Sequence, residues 1–177
     1  MTNVEAQVYP VGAIANFMIG RSMKYHTLLT HLQLQRLVYI AYGFGLAIFN
    51  RRLFTEAIQV WRLGPVVPDL YHEFKRFGPH VIREWSTYYD YASHQFVFPA
   101  VDERDGGALL VLNRTWNQYG NLPPSDFVPA TDQYGALASV TQPQPIEDHL
   151  IRQHFQQLLY GQTQPATHPT TASGGPS

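Results

Sequence analysis

Asp69, His72 and Glu73 form the densest group of chemically capable side chains in this sequence. On a helix, Asp69 lies beside His72 at i+3 and beside Glu73 at i+4. Two carboxylates flanking an imidazole could ligate a divalent cation or carry out acid–base chemistry. The same spacing also describes a solvated helix face opposite Leu70, Tyr71 and Phe74. No second cluster completes a site with a nucleophile or an oriented third group. The chain is therefore read as non-catalytic, with a hydrolase-like enzyme on the Asp69/His72/Glu73 face as the alternative.

Other chemistry is sparse. The sequence contains no cysteine, which removes thiolate nucleophiles, disulfides and thiolate zinc sites together. His149 and His154 are five apart and do not share a helix face, so no metal pair is expected. Gly43-Phe44-Gly45 is too short to cradle a phosphate, and there is neither a Gly-x-Ser-x-Gly elbow nor a His-Glu-x-x-His helix. No metal or cofactor is expected. A formal net charge of −1 supplies no general attraction to nucleic acid. Arg51, Arg52, Lys75, Arg76 and Arg83 could form a basic patch. Lys75 and Arg76, however, stand at the negative end of their helix, where cations are favoured without a ligand. The first residues lack a basic segment followed by an apolar one, and the longest apolar run, Leu37 to Phe49, is too short to span a bilayer. These features predict a soluble cytoplasmic protein.

The elements that must position Asp69, His72 and Glu73 are read from residues 59–79. Leu53 to Leu63 reads as mostly extended, and Val60 alternates with polar Gln59 and Arg62 as in a strand. Gly64-Pro65 interrupts it, Pro68 suits the first turn of a new helix, and Gly78-Pro79 ends that helix. Arg62 falls on the same face as Ile58 and Val60, so it is expected to be partly buried beside Glu56 or Asp69. Trp61, Tyr71 and Trp116 read as core.

Around this stretch the pattern predicts helices over 10–21, 30–49, from after Asp105-Gly106-Gly107 to Tyr119, and over 146–160. The second opens with a capping box, Thr30-His31-Leu32-Gln33, flanked by Leu29 and Leu34 as a staple. It is apolar on nearly every side, which predicts a central helix packed all round. Gly43 and Gly45 within it are expected to permit close approach. His94 to Phe98 is expected to pair as a strand with 57–62, Pro143 to Pro145 reads as a linker, and Gly120 and Gly161 read as C′ glycines. The fold class is mainly α (α+β): a compact helical domain around a central apolar helix, with one short β-strand pair. Residues 1–161 form a single domain. Residues 162–177, rich in Thr, Pro, Ser and Gly, read as a disordered tail.

The run Trp61-Arg-Leu-Gly64-Pro65-Val66-Val-Pro68-Asp-Leu-Tyr71 resembles the signature of the Panacea domain, the SocA-like antitoxin family. Leu34-Gln35-Arg36-Leu37-Val38-Tyr39 and Leu53-Phe54-Thr55-Glu56 upstream, and Trp116-Asn117-Gln118-Tyr119-Gly120 downstream, extend the resemblance in order. It implies a mainly helical module of a toxin–antitoxin system, often encoded near prophage or other mobile-element genes. Such a module binds and neutralises a cognate toxin, and some act as adaptors that deliver the toxin to a protease complex. Trp61, Gly64, Pro65, Val66, Pro68, Tyr71, Trp116, Tyr119 and Gly120 are the signature positions, largely structural. Arg62, Asp69, His72 and Lys75 flank or project from them and are the expected partner contacts. The sequence departs from the family pattern near Thr131-Asp132. There the family's Thr-His becomes Thr-Asp, and the Pro-Trp that follows is absent.

Overall fold

A computed structural model of the protein describes residues 7–62, 64–127, 131 and 143–161. The proposed tail and the departure at Asp132 lie outside the described residues.

Helix α1 (Val11–Lys24) starts directly after Pro10. Helix α2 (His31–Phe49) opens on the capping box read from the sequence: the Thr30 hydroxyl accepts from the Gln33 N–H, and the Gln33 side chain accepts the Thr30 N–H at 2.9 Å. Leu29 and Leu34, the two staple positions, are both buried. Asn50 ends α2 in the left-handed region, at φ 50°. Every residue from Leu37 to Ala47 is buried, because α1, α4 (Gly106–Tyr119) and α5 (Asp148–Tyr160) pack around α2. By length and composition alone, the 19 residues of α2 could cross a membrane, contrary to the shorter apolar run read from sequence. Yet 72% of its most apolar window is buried inside the fold, which makes it the core helix.

Gly43 serves a side chain. A Cβ there would overlap the Phe155 ring, so Gly43 lets α5 seat its central aromatic directly on α2. Phe155 also meets Tyr39 and Phe44 edge-on, at centroid distances of 5.5 and 5.4 Å. At Gly45 the close neighbour is backbone, the Arg51 carbonyl.

Strands β1 (Gln59–Trp61) and β2 (Gly64–Val66) form an antiparallel hairpin, with Trp61 opposite Gly64 and Val60 opposite Pro65. A third strand, Gln144–Pro145, pairs with the other edge of β1. The expected linker at 143–145 therefore completes a sheet in the order β2, β1, then the late strand. Both prolines sit on edge strands, where a missing donor does no harm. The expected pairing of 94–98 with 57–62 does not occur. Gln95–Val97 pairs instead with Tyr88–Asp90 as a separate antiparallel hairpin. Its turn is local: the Asp90 carboxylate accepts from the N–H groups of Ala92 and Ser93, and His94 takes φ 54°. The fold is mainly α with a small β component, five α-helices and two small sheets among the described residues.

Candidate functional site

The signature segment turns from β2 into helix α3 (Pro68–Phe74), whose first turn carries Pro68. Gly64 lies at φ 107°, a region L side chains rarely adopt, and a Cβ there would meet nothing nearer than the Thr131 carbonyl at 3.6 Å. Glycine is required at this position by backbone angle, not by crowding. Pro65, Val66 and Val67 are buried.

Gln35 of α2 fixes the start of α3. Its side chain is 1% exposed. Its Oε1 accepts the Val67 N–H at 3.0 Å, and its Nε2 donates to the Val67 carbonyl at 3.3 Å. The first backbone bond of α3, from Tyr71 N–H, ends on the same carbonyl. A second buried amide works in the same way: Asn16 of α1 accepts the Ser86 N–H and donates to the Ser86 and Pro99 carbonyls. Sequence reasoning missed both amides. Their partners are 32 and up to 83 residues away, and only the position of Gln35 inside Leu34–Tyr39 hinted at a role.

Glu73 faces the same loop. Its carboxylate accepts from the Ser86 hydroxyl at 2.9 Å and the Thr87 N–H at 3.1 Å. Glu73 thus ties α3 to the 86–87 segment, while Asp69 and His72 are exposed. No group of three or more metal-capable side chains converges among the described residues.

Trp61 and Tyr71 are half-buried, a correction to the expectation that both are core. Their ring centroids lie 4.8 Å apart, and His31 meets Tyr71 edge-on at 5.2 Å. The Trp61 Nε1–H donates to Gln59 at 3.0 Å. Burial holds the His31 pKa below its ordinary value. Trp116 is core, as expected. Gly120 is there because of it: Gly120 keeps right-handed helical angles, and a Cβ would come within 2.6 Å of the Trp116 indole. Gly161 likewise stays right-handed, so neither glycine is the left-handed C′ expected. Tyr119 is half-buried against Phe44 and Phe127.

Arg62 is exposed and forms no ion pair with a described residue, so its expected burial beside Glu56 or Asp69 is not observed. Glu56 accepts from the Val11 and Thr55 N–H groups. The Trp61–Tyr71 contact brings the hairpin end that carries Arg62 up to α3, with Asp69, His72 and Lys75 exposed along that helix and its C-cap. Of the other basic residues, Arg51 pairs with Asp105, Arg52 with Asp148 and Arg76 with Glu84, and Arg76 and Arg83 line one pocket together with Glu73 and Glu84.

The model of the "Antitoxin SocA-like, Panacea domain" family matches residues 34–135, more than half of the chain. Antitoxin SocA of Caulobacter vibrioides is 31% identical over 93 residues, covering 51% of this chain and 50% of that protein. The chain thus aligns with about half the length of this curated relative. No solved structure matches. The matched span runs from the start of the Leu34–Tyr39 segment through the hairpin, α3 and α4. It includes every signature position and the Gln35 clamp, and on that basis the chain belongs to the SocA-like Panacea-domain antitoxin family.

Proposed function

We propose that this protein is an antitoxin that binds a cognate protein toxin in the cytoplasm and neutralises it in a stoichiometric complex. The observation that carries the reading is the family match over residues 34–135, with its 31% identity to an antitoxin. The physical character of the surface supports it. Fourteen large hydrophobic side chains are exposed among the described residues, nearly half of them aromatic residues between 85 and 98. Exposed aromatics anchor protein interfaces at low conformational cost. Arg62, Asp69, His72 and Lys75 supply the polar rim at the signature segment. Delivery of the bound toxin to a protease complex is the further step of this proposal, and a gene neighbourhood of prophage or mobile-element type is its genomic counterpart.

The hydrolase reading draws less support. Glu73 spends both carboxylate oxygens on Ser86 and Thr87, which leaves Asp69 and His72 without a third member. The test is co-expression with the adjacent reading frame. The expected result is growth arrest by the neighbour alone, relief when this protein is present, and co-purification of the two. A harmless neighbour, or relief without a complex, overturns the proposal.

A further inference from the structure

Between α1, α4 and the segment 98–103 the fold leaves an open groove of about 550 Å³. Phe17 and Leu109 form its helical walls, and Trp85 and Phe98 its rim. Both rim residues are exposed, Phe98 by 62%. The polar group in the floor is Asn16, whose two N–H donors and one acceptor position are already engaged by Ser86 and Pro99. The floor therefore offers little to a polar ligand.

Glu103 is the charged residue of this lining. It is exposed and makes no hydrogen bond or ion pair with a described residue. Its neighbours differ: Asp102 holds Arg104 at 2.9 Å, and Asp105 holds Arg51. The rim continues along the chain into the hairpin Tyr88–Val97. There Tyr89, Tyr91 and Phe96 stand exposed, with the Tyr89 centroid 5.1 and 5.3 Å from those of the other two. Exposed aromatic side chains grouped in this way mark an interaction surface.

We propose that this groove and hairpin form the docking surface for the partner protein, which inserts a segment carrying an apolar side chain beside a lysine or arginine. The proposal rests on the partner-binding reading above and specifies the chemistry of what is bound. The apolar walls set the first requirement. Glu103 sets the second, because covering its carboxylate with an uncharged or acidic segment strips its water and returns no partner. A cation next to the anchor meets it.

Two probe peptides test the charge requirement, acetyl-Gly-Phe-Leu-Lys-Arg-Gly-amide and the same peptide with two glutamates in place of Lys-Arg. With the isotope-labelled full chain, the cationic peptide is expected to move the Trp85 indole signal and leave those of Trp61 and Trp116 in place. Glu103→Gln is expected to weaken its Kd about threefold. Glu103→Lys is expected to weaken it about tenfold and to invert the preference between the peptides. Equal affinity for both peptides, no Trp85 shift with either, or an unchanged Kd in Glu103→Lys would overturn the proposal. Capture of the neighbouring gene's product separates this claim from the antitoxin reading. Loss of capture in a folded Phe98→Ser, Glu103→Lys variant supports both. Capture undiminished in that variant overturns the groove and leaves the antitoxin reading standing. No capture by the wild type, with the cationic peptide still shifting Trp85, overturns the antitoxin reading and leaves the groove.

Discussion

The Gln35 side-chain amide holds the backbone of Val67 by both of its groups, accepting the N–H at 3.0 Å and donating to the carbonyl at 3.3 Å. A residue near the start of the core helix thereby sets where α3 begins and how its exposed residues, Asp69, His72 and Lys75, are presented. The clamp joins two segments of the family signature that lie 32 residues apart. Gln35→Leu keeps the volume and deletes the bonds. The Val67 carbonyl still receives Tyr71, but the Val67 N–H is left buried and unpaired, so a loss of about 1–3 kcal/mol is expected. Gln35→Glu is expected to be worse, because it places a carboxylate against that carbonyl in the core. Denaturant titration of the two variants checks the order.

Gly43 is the corresponding test of the α2–α5 contact. Gly43→Ala drives a methyl into the Phe155 ring, and an overpacking loss of about 1–3 kcal/mol is expected. Gly43→Ala combined with Phe155→Leu is expected to recover part of that loss. A fully additive double variant in thermal melts would show that the ring is not what Gly43 accommodates.

Trp61 and Trp116 are expected to separate cleanly. Trp116→Ala empties a core position and is expected to cost about 3–5 kcal/mol. Trp61→Ala removes a half-buried ring that rests on Tyr71, and about 1–2 kcal/mol is expected from its smaller burial. Equal losses in urea titration would contradict these placements.

Acidification is expected to act in two steps. Burial lowers the His31 pKa in the folded state, so the fold favours the neutral ring. That contribution to stability is full above the unfolded value of about 6.5 and declines as pH falls below it. Asp105 follows at lower pH. The hydrogen bond from Arg51, then those from the Ala108 N–H and the Tyr9 hydroxyl, hold its carboxyl far below the usual carboxylate range. Its contribution is full above the unfolded value of about 3.9 and is lost as pH falls further. A shallow decline in Tm below about pH 6.5 and a steep one below about pH 4 are expected. His31→Gln should remove the first step only, and Asp105→Asn should blunt the second while lowering Tm at neutral pH.

The parts of this fold legible in the sequence are those whose causes are local. Thr30 and Gln33 cap α2 three residues apart. Gly64, Pro65 and Pro68 turn a strand into a helix within five residues. The all-round apolarity of residues 34–47 announces a central helix. What stayed hidden depends on distant partners. Gln35 and Asn16 look like ordinary polar residues until Val67 and Ser86 arrive beside them. Arg62 looks inward-facing if the strand is extended past Trp61, but the hairpin turns there and leaves it exposed. Trp116 and Gly120 were legible as a pair, yet the reason is steric fit to the indole, which helix-ending chemistry does not reveal. The hairpin at 88–97 had a readable signal in Asp90 and Ser93, a side-chain turn between two short aromatic-rich runs, and the pairing with 57–62 overlooked it. The candidate partner contacts were legible only as residues beside a signature. Their exposure follows from the short α3 and its anchors, Gln35 and Glu73.

The central claim is that this antitoxin-family chain acts by forming a complex, and one measurement addresses it most directly. This protein and the product of its adjacent gene are mixed at increasing ratio, and complex mass and toxic activity are read from the same samples by light scattering and a growth or inhibition assay. The account requires both readings to saturate together at a fixed ratio. It also requires a folded Arg62→Ala, Asp69→Ala, His72→Ala, Lys75→Ala variant to need more protein for the same suppression. Suppression at substoichiometric amounts with no complex formed would contradict the account and return Asp69 and His72 to consideration as catalytic groups.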